Sequence, residues 1–192
     1  MNIRKEIFGY WILNKMSKRL LTKQGEGKMK KTMVWLALTA LSAAVFAAEP
    51  IVWNKENSFK GWGSQFRCKK TISKDGMVIT VTGADCNISN NNVKINPKEN
   101  SQLLIEYRSK DIPAKNNGKL YYATASKGFN EVNVWNFRNL KNDGNWHTLK
   151  LINDSKRWLN AGTITKLRLD IIEQSSGTVE IRSITFSTPE EE

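Results

Sequence analysis

The stretch RWLNAGTITKLRLDIIEQSSGTVEIRSITF, residues 157–186, places two alternating runs on either side of an SSG turn. Alternation with a period of two sends successive side chains to opposite faces of a strand. In ITKLRLDI (164–171), Leu167, Leu169 and Ile171 share one face, and Lys166, Arg168 and Asp170 share the other. In TVEIRSITF (178–186), Val179 and Ile181 agree in parity, but Ile184 and Phe186 have the opposite parity. A bulge near Arg182–Ser183, or burial of both faces at a sheet edge, reconciles the two halves. This is a β-hairpin.

The same texture runs upstream. IVWN (51–54), SQFRCKKTI (64–72), MVITVTG (77–83), NVKI (92–95), SQLLIEYRS (101–109), KLYYATA (119–125), EVNVWNF (131–137) and WHTLKLI (146–152) are short, β-prone runs between clusters of Asn, Gly, Asp, Ser and Lys. SKDG before Met77 reads as a tight turn in which Asp-Gly supplies the positive φ that a hairpin loop needs. NNG before Lys119 and NDGN before Trp146 are further turns. Ten short strands of this kind predict an all-β chain, an antiparallel two-sheet β-sandwich or jelly roll. One such domain fills residues 48–188, and residues 189–192 form an acidic tail.

Ahead of the strands, Lys30 and Lys31 precede an apolar run and the small-residue stretch SAAVFAAEP. That is the layout of a secretory signal peptide over residues 29–47, too short for a stable membrane anchor, with the mature chain expected to start at Ala48. No Cys follows the run, which argues against a lipoprotein anchor. Residues 1–28 are basic and without clear period. KQGEGKM can be encoded by a purine-rich run containing GGAG before an ATG, resembling a ribosome-binding site. Met29 is thus expected to be the true start, with 1–28 as upstream sequence; a basic leader extension is the other reading. The expected location is outside the cytoplasm of a bacterium, secreted or periplasmic.

The formal net charge is +12 over 192 residues, but residues 1–47 contribute +7 of it. The rest holds 21 Lys/Arg against 16 Asp/Glu, which leaves +5 spread as single charges. That is a solvated surface rather than a nucleic-acid footprint. Once the signal is cleaved, no membrane contact is expected. Cys68 and Cys86 both fall in the exported part, and an even count in an oxidising compartment argues for one disulfide. A metal site would need more ligands than two cysteines and the single His147, so no metal ligands are assigned.

Catalysis has little support. A Ser-His-Asp triad would have to use His147, which shares parity with Leu149 and Leu151 and reads as a strand residue near the core. No Asp or Glu recurs at i, i+2 on a predicted strand, where a sandwich glycosidase would hold its paired carboxylates. There is no phosphate-binding Gly-rich loop and no Asp-rich Ca²⁺ loop. No cofactor is expected, and a structural Ca²⁺ between loops stays open.

Aromatics are the stronger signal. Trp53, Trp62, Trp135, Trp146, Trp158 and the pair Tyr121–Tyr122 fall in the mature chain. Aromatic faces stack on the apolar faces of sugar rings while nearby polar groups bond hydroxyls. For any one Trp, filling the core is the competing role. Trp53 and Trp146, opening strands beside apolar partners, read as core, and Trp158 as a plug at the sandwich end. Trp135, flanked by Asn133, Asn136 and Arg138, is the leading ligand candidate, with Trp62, Tyr121, Tyr122 and Asn136. Arg108 and Glu106 share a face of LLIEYRS and complete the set.

Trp158, Gly162, Ile164, LRLD (167–170), Gly177 and VEIRSITF (179–186) resemble the closing strands of galactose-binding-like jelly-roll domains. DGNWHTLKL (143–151) and LLIEYRS (103–109) resemble them too. These domains include carbohydrate-binding modules and related non-catalytic sandwiches of secreted bacterial polysaccharide-degrading systems. Arg182 departs from the pattern, since an Asp commonly follows EI there. DGNWHTL also resembles laminin-G-like and lectin-like sandwiches. The resemblance implies a non-enzymatic domain that binds a polysaccharide or oligosaccharide. A structural domain pairing with a cell-surface protein is the alternative, and a small glycoside hydrolase or lyase is a third reading.

Overall fold

The structure is a computed structural model that describes residues 48–189. The extension 1–28, the signal peptide and Glu190–Glu192 of the acidic tail lie outside the described residues. The described residues form eleven strands: β1 (Ile51–Asn54), β2 (Trp62–Phe66), β3 (Cys68–Ile72), β4 (Met77–Val81), β5 (Cys86–Asn90), β6 (Gln102–Lys110), β7 (Asn117–Thr124), β8 (Val134–Arg138), β9 (His147–Ile152), β10 (Ile164–Ile172) and β11 (Thr178–Ser187). One sheet runs β3-β4-β11-β6-β9 with β1 also on β11; the other runs β2-β5-β10-β7-β8. Every pairing is antiparallel. The two sheets bury a shared core, which makes the all-β sandwich that the alternation predicts.

The two halves of β11 disagree in parity because of a bulge. Its register against β6 shifts between Ile181 and Ser183, so Val179, Ile181, Ile184 and Phe186 all point inward. The bulge also divides one edge of β11 between two partners. Residues 178–181 pair with β4, and residues 183–186 pair with β1.

Two boundaries differ from the sequence reading. The run 64–72 is two strands in different sheets, because Arg67 adopts a left-handed φ of 49° and turns the chain across the sandwich edge. Its carbonyl accepts from Thr82 N at 2.9 Å, and its Nη1 donates to Ala84 O at 3.2 Å. The strand expected at 92–95 is an isolated bridge, Ile95 to Ile164, while β5 lies just before it. Asn-rich CNISN conceals a strand because Asn90, fully buried, has its amide satisfied locally. Asn90 Nδ2 donates to Lys60 O at 3.2 Å, and its Oδ1 accepts from Asn92 N at 3.0 Å.

The SKDG turn joins β3 to β4 as expected, but for a different reason. Gly76 is not among the residues with positive φ; a Cβ there would lie 2.2 Å from Ile181 O. Close approach to β11 is what demands glycine. Gly76→Ala should therefore destabilise by about 1–3 kcal/mol, read by chemical denaturation; an unchanged midpoint would mean that the turn moves away from β11 without cost.

The core is an aromatic chain. Trp53 meets Trp62 and Phe186 edge-on at 5.9 and 6.3 Å between ring centroids. Trp135 meets Phe186 and Trp158 at 5.8 and 4.9 Å, and Tyr122 meets Trp158 at 4.8 Å. Trp158 sits on a one-turn helix, α1 (Lys156–Leu159), whose N-cap Ser155 accepts from Trp158 N. Cys68 on β3 and Cys86 on β5 stand at one sandwich edge as free thiols, in contact across the two sheets; the expected bridge is not formed.

Candidate functional site

The residues singled out from sequence fall into three places. Trp62, Tyr122 and Trp135 are in the core, at 1%, 2% and 4% exposure, and present no stacking face to a ligand. Parity is the reason for Trp135: it and Phe137 point inward from β8, which turns Asn136 and Arg138 outward. The Asn and Arg neighbours that marked Trp135 as a ligand group belong to the opposite face. Arg108 and Glu106 share the outer face of the six-stranded sheet, as parity predicts. Tyr121 and Asn136 lie on the outer face of the five-stranded sheet. The set does not form one site.

The outer face of the five-stranded sheet carries two cross-strand rows. One runs Ser89, Arg168, Tyr121, Val134 across β5, β10, β7 and β8. The other links Asp170, Lys119 and Asn136, with Phe66 paired to Asn87 on its β2 side. Arg168 grips Asp170 with two bonds, Nε–Oδ1 at 2.8 Å and Nη2–Oδ2 at 2.7 Å, and reaches Asp85 Oδ1 at 2.8 Å. Lys119 Nζ lies 2.7 Å from Glu173 Oε1 and 3.6 Å from Glu131 Oε2. Tyr121 donates its hydroxyl to Glu131 Oε1 at 2.9 Å. The Arg168 guanidinium carbon is 5.1 Å from the Tyr121 ring centroid, and Lys119 Nζ is 5.8 Å from it. Tyr121 is thus 4% exposed, roofed by cations rather than open for stacking.

This arrangement fixes donors and acceptors against one another, so a ligand meets groups already held in place. Burial and the Glu131 carboxylate raise the Tyr121 hydroxyl's pKa, which keeps it a neutral donor. The bond to Glu173 holds Lys119 protonated. At the β2 edge, Phe66 is 48% exposed and offers the open aromatic surface that the core tryptophans do not, with the Arg67 guanidinium 4.9 Å from its centroid.

Asp170 gives the face a pH response. Burial pushes its carboxyl up to about 6, with Arg168 pulling the other way. In the unfolded chain the group titrates near 3.8, so the folded protein takes up the proton first as pH falls. This group's contribution to stability therefore rises as pH drops from about 6 to about 4, by roughly 3 kcal/mol at about 1.4 kcal/mol per pH unit. An NMR titration should show the Asp170 carboxyl turning over near pH 6; a midpoint below 4 would contradict it.

Sequence parity already grouped Lys166, Arg168 and Asp170. It did not reveal Lys119, Glu131 or Phe66 as their neighbours, because strand order is a tertiary fact. Trp146, expected in the core, is not there: it has the opposite parity to His147, Leu149 and Leu151, and it lies half-buried against Arg108 and Arg182. His147 bonds Asp143 Oδ1 at 2.8 Å at the end of β9. Among the described residues no group of three or more His, Cys, Asp or Glu is placed to hold a metal ion.

No family model matches the sequence, and no curated protein matches it. Solved structures do. The xylan-binding module CBM15 superposes with a TM-score of 0.55 at 16% identity, over 75% of this chain and 99% of that one. A family 29 carbohydrate-binding module matches with a TM-score of 0.52 at 12% identity, over 73% of this chain and 93% of that one. A low-affinity xylan-binding module, CBM86 of Roseburia intestinalis, gives 0.51 at 10% identity, over 72% and 95%. The fold is that of carbohydrate-binding modules. In this carbohydrate-binding-module fold the five-stranded sheet turns the Arg168–Tyr121–Lys119 cluster outward, and the six-stranded sheet turns out Trp146 and its arginines. At these identities the likeness concerns the architecture.

Proposed function

We propose that the protein is a secreted or periplasmic, non-catalytic carbohydrate-binding domain that lays a glycan across the outer face of the five-stranded sheet. The observation that carries this reading is the coincidence of Tyr121, Lys119 and Arg168 in one cluster of hydrogen bonds, ion pairs and cation–π contacts on the outer face of the five-stranded sheet. The family 29 module has been studied with a tyrosine, a lysine or an arginine replaced by alanine to probe ligand recognition. The same three side-chain types meet in this cluster. Arg168 and Lys119 donate to sugar hydroxyls, Asp85, Glu131 and Asn136 accept from them, and Phe66 supplies a ring face at one end. Xylan is the first polysaccharide to try, since two of the structural neighbours bind it.

A binding role also fits the state of the carboxylates. Glu106, Glu180 and Glu173 are each ion-paired with an arginine or lysine, an arrangement that suits fixed recognition groups. An assembly role would be favoured by one contiguous apolar patch. Among the described residues, Phe66 lies on β2 of the five-stranded sheet, whereas Ile72 and Ile152 lie on β3 and β9, at opposite ends of the six-stranded sheet's strand order.

Affinity electrophoresis in gels containing xylan, mixed-linkage glucan or galactan tests the reading. Retention by at least one of them is expected, and Arg168→Ala should weaken it about tenfold or more, the scale of a lost charge-assisted hydrogen bond. Free migration of the wild-type protein in all gels would sink the proposal.

A further inference from the structure

The opposite face of the sandwich carries a second arrangement that the proposed glycan face does not use. At the bulge in β11, the edge passes from β4 to β1, since Ile181 is paired with Met77 and Ser183 with Asn54. The gap between the two partner strands opens a groove of about 570 Å³, within the range of small-ligand sites. Its charged lining is Lys55, Lys74 and Arg182 against Glu56, Asp75 and Glu106.

Beside the groove lies Trp146, with two guanidiniums on its ring. The Arg182 carbon is 3.9 Å from the ring centroid and the Arg108 carbon 4.7 Å. Two cations on one indole repel each other unless each is neutralised. Arg108 Nη2 pairs with Glu180 Oε2 at 2.6 Å and with Asp75 Oδ2 at 3.1 Å, and Arg182 pairs with Glu106. Ser73 in turn donates to Glu180. The two guanidiniums cover the indole as the cations cover Tyr121 on the other face, so Trp146 holds Arg182 in place at the groove rather than stacking on a ligand itself.

The lining also selects a ligand class. Three positive and three negative side chains cancel, which gives no advantage to a strongly charged ligand. They do offer donors and acceptors in alternation, with the Ser183 and Thr185 side chains and Asn54 among them. A neutral polyhydroxylated molecule answers that pattern.

We propose that this groove, with Arg182 in its lining held by Trp146, is a second binding site, for a short stretch of neutral glycan; the ligand class rests on the function proposed above. The two sites lie on opposite faces of the sandwich, so one extended glycan does not lie flat on both. The domain is bivalent and bridges two polysaccharide chains, gaining avidity on a dense matrix.

The test combines calorimetry with neutral xylo- and gluco-oligosaccharides and turbidity with soluble xylan or mixed-linkage glucan. The wild-type protein should bind two oligosaccharides per chain and cross-link the polymer. Trp146→Ala, and Lys74→Glu on the exposed β3–β4 turn, should each weaken one site about tenfold and reduce the turbidity, leaving the other site intact. Lys74→Glu is the control for folding, because that side chain is exposed. Arg168→Ala should weaken the other site about tenfold or more and also reduce the turbidity. One site per chain, weakened by Arg168→Ala and indifferent to Trp146→Ala and Lys74→Glu, would overturn the groove and leave the proposed function standing. Binding that survives Arg168→Ala but falls with both groove variants would support the groove while moving the primary site. No binding of any glycan would overturn both.

Discussion

Trp158→Ala should lower stability by about 3–5 kcal/mol, the usual cost of emptying a large aromatic site in a core. The ring is fully buried and lies at the junction of Tyr122, Trp135 and Phe186, with centroids 4.8, 4.9 and 6.0 Å away. Its neighbours come from both sheets, Tyr122 and Trp135 from one and Phe186 from the other, so the void would open between the layers. Trp158→Phe separates volume from chemistry. The Trp158 Nε1 finds no acceptor in the protein, so phenylalanine removes an unpaired donor along with part of the volume. It should cost clearly less than alanine. Thermal and denaturant unfolding of the three proteins reads the difference, and the alanine variant should melt roughly 10 °C lower or more. A loss under 1 kcal/mol for alanine would mean that Trp158 does not organise the core.

The sandwich was legible because alternation is local. Leu167, Leu169 and Ile171 on one face, and the parity break before Ile184, announce a strand pair and a bulge without any knowledge of partners. The site was less legible, because it is made across strands. Arg168 and Lys119 are 49 positions apart in the chain and meet only because β7 lies beside β10. Trp135 misled for a related reason. Polar neighbours in sequence are not neighbours in space on a strand, where i and i+1 point apart. The same rule, applied to Trp146 against His147, Leu149 and Leu151, would have turned Trp146 outward. Arg182, a departure from the family pattern in sequence, proves to be the bulged residue beside the groove. The split of SQFRCKKTI into two strands was not legible, since nothing in Arg67 as a residue type announces a left-handed φ.

Oxidation of the purified protein in air or with oxidised glutathione should close a Cys68–Cys86 disulfide and raise stability by about 3 kcal/mol, the chain-entropy value for a loop of this length. The two thiols are already in contact, although they belong to different sheets. Cys68 Sγ lies 3.3 Å from the Asn87 carbonyl oxygen, beside Cys86 on β5. The hydrogen bond from the Cys86 thiol is the largest influence on Cys68 and holds it down to about 7, with burial opposing; the same bond, with burial, pushes Cys86 up. One partner is therefore a ready nucleophile at neutral pH, and the other stays protonated, which sets Cys68 as the attacking sulfur on an oxidant. The order of reactivity follows from this. In the reduced protein iodoacetamide should label Cys68 first, with a rate that climbs through pH 7, while half-buried Cys68 shields Cys86 behind it. Peptide mass spectrometry under non-reducing conditions should find the two cysteine peptides joined after oxidation, and denaturant unfolding with and without reductant should differ by the stated amount. A bridge that forms but leaves the unfolding midpoint unchanged would mean that the link strains the edge as much as it constrains the unfolded chain. Two thiols that still titrate after exhaustive oxidation would show that β3 and β5 hold the sulfurs in an unproductive geometry.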